Sequence, residues 1–294
     1  MKINNSPINK ITLDSHGYPK RLRELPDPPQ QLYFRGSWDP GLFEKSLAVV
    51  GSRRMTHYGE RVLETLIPHL VATNITIISG FMYGVDSEAH HQALECGGKT
   101  VAVLGGGLNV LYPPENEKLY TKIISQSGLI ISEYPPDQQP QLWTFVQRNR
   151  IIAGLASLGV LIVEAGEKSG SLVTAKIARQ QKKLVFAVPG PITSSVSKGT
   201  NKLIADGLAK MVLSGNDIVL QESPAPQDQT LQGCTPIEQK ILELLKNEPL
   251  TLDEISQKTA SNIIEVGQTL TMMALKGQIE EKNGKYYWKF TVTV

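Results

Sequence analysis

Arg148-Asn149-Arg150 places two guanidinium groups either side of an amide, and an apolar run at helical spacing (Ile151, Ile152, Leu155) follows at once. Cations at a helix start join backbone N–H groups that have no intrahelical partner, and the two together seat an anion. Both arginines are therefore expected in the first turn of that helix. Alone, such a pair reads as a solvated basic helix start. Other segments add to it. Gly51-Ser52-Arg53-Arg54, Gly105-Gly106-Gly107 and Ser169-Gly170-Ser171 with Thr174 each follow a short apolar run. Glycine lets the backbone come close to a ligand, and hydroxyls and free N–H groups donate to phosphate oxygens. Several such turns on one rim predict a cradle for more than one phosphate. Phe145 and Tyr112, read as loop residues, offer flat faces for bases, whereas Tyr83 reads as a core residue.

Other chemistries fit less well. The dinucleotide fingerprint fails because Val110 stands where the third glycine after Gly105 and Gly107 is needed. Gly98-Lys99-Thr100 resembles the tail of a P-loop, but Ala93 replaces its first glycine and the triplet precedes a strand. No cofactor is expected. His90 and His91 point about 100° apart on a helix and cannot share a metal; His90 is expected to be partly buried and His91 exposed. The serines at 52, 169 and 171 lack a nearby base, so they read as phosphate donors, not nucleophiles. Glu133 and Glu164, at strand ends, are the only acid–base candidates.

The elements that must hold these turns alternate. From 47 to about 220, apolar runs at Leu47–Val50, Ile75–Ser79, Val101–Leu104, Leu129–Ser132, Val160–Val163 and Leu184–Val188, with a last one at Met211–Leu213, are separated by helical patterns. The runs are β-branched and continuous, as in strands buried on both faces. The reading is an α/β domain, an extended Rossmann-like parallel sheet sandwiched by helices, over 47–220. Ligands of such sheets sit outside the strands' carboxyl ends, where these turns lie. Pro68 is expected to kink or split the helix over 59–72. Residues 1–46, with six prolines, read as a strap packed on that domain, with a short strand over 31–35. Residues 221–233 are a polar linker. Residues 234–294 carry three helix starts, at Thr235-Pro236-Ile237-Glu238, Thr251-Leu252-Asp253-Glu254 and Asn262 with Glu265, then a hairpin turning at Asn283-Gly284, a winged-helix pattern.

With 294 residues, 40 % hydrophobic and 20 % charged, the chain has ordinary globular composition. It has no apolar run long enough to span a bilayer and no signal pattern, so a cytoplasmic protein without membrane contact is expected. A net charge of +2 means that any nucleic-acid binding comes from local arrangement and not from bulk charge.

Taken together, the motifs resemble the DprA/Smf family of DNA-processing proteins. They are Gly51-Ser52-Arg53; Ser79-Gly80 with Gly84-Val85-Asp86 and Ala89-His90; Tyr112-Pro113 with Asn116; Arg148 to Gly154; Ser169 to Ala175; and Val188-Pro189-Gly190. The resemblance implies a homodimer that binds and protects incoming single-stranded DNA during natural transformation. It also implies delivery of that strand to RecA recombinase, without turnover chemistry. Carried over by position, the DNA pocket comprises Gly51, Ser52 and Arg53 with Phe145, Arg148, Asn149 and Arg150. It is lined by Gly105, Gly106, Gly107, Tyr112, Asn116, Ser169, Gly170, Ser171 and Thr174. Asn109, where the family often has aspartate, departs from the pattern. The alternative on a similar fold is a nucleotide phosphoribohydrolase of the lysine-decarboxylase-like family, whose glycine-rich signature and catalytic glutamate are absent. The recognition helix expected at about 262–276 carries only Glu265 and Lys276 as charges. The C-terminal module is therefore expected to contact protein or to regulate, not to read DNA. Leu203–Leu213 is the expected dimer face.

Overall fold

The computed structural model describes residues 6–220, 235–259, 261–275 and 279–288. The chain divides into two compact units, 1–223 and 224–294. The linker expected at 221–233 lies outside the described residues.

The first unit is built on a nine-stranded sheet. Its parallel part runs β6 (Leu129–Ser132), β5 (Thr100–Val103), β4 (Thr76–Ser79), β3 (Ser46–Val50), β7 (Gly159–Ile162), β8 (Val185–Ala187) and β9 (Lys210–Met211). The strap closes one edge. β1 (Asn9–Thr12) pairs antiparallel with β2 (Gln31–Gly36), and β2 pairs antiparallel with β6. A segment read as a strap with one short strand over 31–35 thus supplies two strands.

Alternate strand residues feed two cores, because successive side chains point to opposite faces. Ala48 and Val50 join Ile151, Ile152, Ala175 and Ala178, from α5 (Leu142–Leu155) and α6 (Gly170–Gln180), and Leu22 of the strap's short α1 (Lys20–Arg23). Leu47 and Val49 join Leu63, Ile67 and Leu70 of α2 (His57–Ala72), and Val85, Ala89 and Ala93 of α3 (Val85–Glu95). A satellite core under α4 (Glu117–Ser125) holds Tyr120 and Ile123. α2 is not split at Pro68. The carbonyl that loses its donor belongs to Glu64, on the exposed face, where solvent replaces the missing bond. Beyond β8, α7 (Lys198–Ala205), β9 and α8 (Asn216–Val219) finish the edge, leaving Met211 and Leu213 exposed.

In the second unit, Thr235 and Glu238 exchange both capping-box bonds at the start of α9 (Pro236–Asn247). Thr251 and Glu254 do the same before α10 (Leu252–Thr259). Asn262 Oδ1 accepts from Ile264 N before α11 (Ile263–Leu275). β11 (Ile279–Lys282) and β12 (Lys285–Trp288) turn at Asn283 and Gly284, both left-handed, and β10 (Leu250–Thr251) joins β12. Helices α9–α11 and this three-stranded sheet make a winged helix around Ile241, Ile255, Val266 and Leu270.

Candidate nucleic-acid interface

Strand order reverses at β3, since β4, β5 and β6 extend to one side and β7, β8 and β9 to the other. Loops leaving β3 and β7 therefore diverge, opening a crevice at their carboxyl ends. A cleft of about 800 Å³ lies there.

One lip is polar. It comprises Gly51, Ser52, Arg53 and Arg54 after β3, and Lys168, Ser169 and Gly170 at the start of α6. Ser169 caps that helix by accepting from Ser171 N, and its hydroxyl meets that of Ser171 at 2.7 Å. The β3 loop is held from below. Glu164, buried at the end of β7, accepts from the backbone N–H of Thr56 at 2.9 Å and from its hydroxyl. Gly84 holds the loop from the side. It takes a left-handed φ of 71°, and a Cβ there would lie 2.4 Å from Ser52 O, so only glycine allows the β4–α3 turn to pack so closely. Arg53 and Arg54 stay exposed.

The other lip is apolar. Leu142, Phe145 and Val146 of α5 and Val173 of α6 line it, and Leu142 is 85 % exposed. Arg53 bridges the two lips, with its guanidinium carbon 5.3 Å from the Phe145 ring centroid, a cation–π contact.

α5 starts at Leu142, with Gln141 and Thr144 forming the capping box, not at the arginines. Arg148 and Arg150 sit mid-helix and point about 200° apart at ~100° per residue, so they separate. Phe145, Arg148, Asn149 and Ile152 share the face that lines the cleft. Arg148 is buried under the floor, donating to Gly80 O at 2.6 Å and to Val103 O, the ends of β4 and β5. Burial lowers its pKa to about 10, against the pull of buried Asp86 beside it, so it remains a cation at neutral pH. Burial pushes the Asp86 carboxyl up, and Arg148 opposes that shift. Arg150 lies outside the cleft. It makes a two-pronged pair with Glu133 at 2.6 and 3.0 Å and reaches Asp27 of the strap at 3.3 Å.

The glycine run 105–107 is buried beneath the rim and does not line the cleft. A Cβ on Gly105 would stand 2.6 Å from Phe145 Cδ1, so this glycine gives the ring its seat. Asn116 donates to Phe81 O at 3.1 Å and latches two loops. Tyr112 stands 5.7 Å from Phe145. Tyr83, expected in the core, is 36 % exposed. Ser171 and Thr174 are buried at the cleft wall. Asn109 accepts from Arg35 at 2.9 Å and donates to Asp137 at 2.8 Å, so its amide links the strap to the loop after β6. His90 is wholly buried. Thr100 Oγ1 donates to Ile77 O, so the ring donates from Nδ1 to Thr100 at 2.6 Å. Burial, with Arg148 adding, lowers the His90 pKa to about 3.

Sequence reasoning missed the apolar lip. Leu142, Val146 and Val173 carry no polar signature, and only placement of the start of α5 would have aimed them at the rim.

The family model described as DNA recombination-mediator protein A matches residues 9–223, and the DprA winged helix domain matches 221–285. The chain belongs to the DprA/Smf family. Protein Smf of Escherichia coli is 37 % identical over 290 residues, covering 94 % of this chain and 76 % of that protein. DNA processing protein DprA of Streptococcus pneumoniae is 43 % identical over 204 residues, covering 69 % and 71 %. Its crystal structure superposes with a TM-score of 0.66, covering 74 % and 75 %. A DprA structure from Helicobacter pylori, described for its single-stranded DNA binding mode, has a TM-score of 0.66 at 32 % identity, covering 76 % of this chain and 98 % of that one. As a DprA/Smf member, the chain is a DNA-processing protein with a mostly parallel α/β core and a winged helix. Among the described residues no helix is long and apolar enough to cross a membrane.

Proposed function

We propose that this chain binds single-stranded DNA in the switch-point cleft, protects incoming DNA during transformation, and passes it to RecA recombinase as a non-catalytic cytoplasmic homodimer. The two-lipped cleft carries the reading. A single strand has a charged backbone on one side and flat apolar bases on the other, and a groove with cations facing aromatics matches both at once. Arg53 and Arg54 neutralise phosphate, and the N–H groups at the start of α6 receive another. Phe145 stacks a base, with Leu142 and Val146 beside it. Arg148 acts as the post that holds Phe145 and the ends of β4 and β5 in place. Asn149 lines the same wall, while Arg150 anchors the strap.

The non-catalytic reading is supported by the fate of the carboxylates. Glu164 holds Thr56, Glu133 holds Arg150, and Asp86, the one carboxylate among the cleft-lining residues, is buried beside Arg148. Dimerisation is assigned to the β9 edge, where Met211 and Leu213 are exposed. The winged helix is assigned to protein contact.

The test is salt-dependent binding of an oligonucleotide. Arg53→Ala weakens binding for every sequence and lowers the log–log salt slope by ~0.7 for each phosphate that is no longer neutralised. Unchanged affinity removes the cleft from the function. Release of free base from nucleoside monophosphates would make the chain an enzyme. Light scattering with and without DNA reads the dimer.

A further inference from the structure

Outside the cleft, the loops after β5 and β4 carry two exposed aromatic rings. Tyr112 is 40 % exposed and Tyr83 36 %. Tyr112 lies 5.7 Å from Phe145, tilted 41° to it. Tyr83 is fixed at its far end, where its hydroxyl donates to Glu115 Oε2 at 2.5 Å. That bond, with Tyr112 adding, pushes the Tyr83 phenol up to about 12, so at neutral pH the hydroxyl stays a donor and the ring stays locked. The Asn116 amide donating to Phe81 O ties the Tyr112–Glu115 loop to the loop that carries Tyr83. The rings are thus presented by latched turns.

We propose that Tyr112 and Tyr83 form a second base-stacking seat, so that a strand leaving Phe145 continues across the carboxyl ends of β5 and β4. This rests on the cleft being the single-strand site. The Phe145 and Tyr112 rings, 5.7 Å apart and tilted 41°, are closer than the two ~3.4 Å stacking layers that an inserted base needs. Successive bases therefore stack on separate outer ring faces. Glu115 fixes the strand's orientation. Its exposed carboxylate repels phosphate, so in this stretch bases face the protein and the backbone faces water, whereas at Arg53 and Lys168 the backbone faces the protein. Nothing in this seat reads base edges, so it accepts any sequence.

The test compares labelled oligothymidylates of about 3 and about 10 nucleotides, a span matched to single-strand sites of ~4–16 nucleotides. Tyr83→Ala lowers affinity for the longer strand by about fivefold or more, the value of one base stack, and leaves the shorter strand within about twofold. Tyr83→Phe keeps the ring face but loses the bond to Glu115, so long-strand affinity falls less than in Tyr83→Ala. Glu115→Gln raises it. Equal loss at both lengths, or no loss at the longer one, overturns the second seat. Failure of the cleft itself reads differently: Arg53→Ala would then leave even the short strand unaffected.

Discussion

Two surfaces of this protein could claim a nucleic acid, the cleft at the β3–β7 switch point and helix α11 of the winged helix. Their folds give both a precedent, since α/β crevices take phosphates and winged helices enter grooves. Their side chains differ. The cleft sets Arg53, Arg54 and Lys168 against Phe145 and Leu142. α11 presents Ile264, 67 % exposed, with Met272 and Ile263, and Glu265 in its first turn. Helix geometry alone does not recruit a polyanion; cations near exposed ring faces do. The difference teaches that the common architecture supplies a place and that a few residues decide the ligand.

The strongest way to break this comparison is at Arg148. If the cleft depends on a buried post, Arg148→Ala strands Asp86 and two carbonyls, and denaturant unfolding of the first unit shows a loss of about 3–5 kcal/mol. A loss below about 1 kcal/mol would make Arg148 a surface-like ligand residue. Next, Arg53→Ala with Phe145→Ala lowers single-strand affinity by about a hundredfold, combining a phosphate interaction with a stacked base worth about 1–3 kcal/mol. Anisotropy titration checks it at fixed salt.

Acid separates the units further. The His90 pKa falls from an ordinary 6.5 to about 3, so below pH 6.5 the unfolded chain takes a proton that the folded chain refuses. Stability present above 6.5 is lost as pH falls toward 3, at up to about 1.4 kcal/mol per unit. Asp86, whose carboxyl burial raises, opposes this slope. The difference between wild type and His90→Gln, which keeps a donor to Thr100, isolates the histidine. Calorimetry across this range finds the slope in the first unit's transition. The smallest effect belongs to α11: deleting 234–294 changes single-strand affinity by less than tenfold, and a larger loss would transfer part of the binding to the winged helix.

Strand positions, capping boxes and the Asn-Gly turn were legible because each is a local rule. Thr235 bonds to Glu238 three residues on, and Asn283 and Gly284 make the turn through their own left-handed backbones. Gly51, Ser52, Arg53 and Ser169 were legible as a rim because every one follows a parallel strand. The start of α5 was not, since Gln141 is an unusual cap and Pro135, Pro136 and Pro140 precede it. That error of a few residues turned Arg148 and Arg150 into a pair, whereas the helical period sends one under the cleft and the other to the strap. Burial of Arg148 and His90 depends on chain segments well beyond their own turns, which no local pattern records. Tyr83 was misassigned for the converse reason: an aromatic between glycine turns looks internal until the neighbouring loop is seen to leave its ring face bare.

The bond from Glu164 back to Thr56 spans 108 residues, and it joins the two halves of the polar lip. No short contiguous fragment of the chain therefore contains a working anion seat. During synthesis the ribosome must extrude β7 before Gly51–Arg54 acquire their support. Loop-closure entropy then makes the cleft a late product of folding, after the local helices. A nascent or clipped chain ending before residue 164 would expose its arginines without a groove to order them, so assembly itself keeps unfinished copies from presenting the proposed seat.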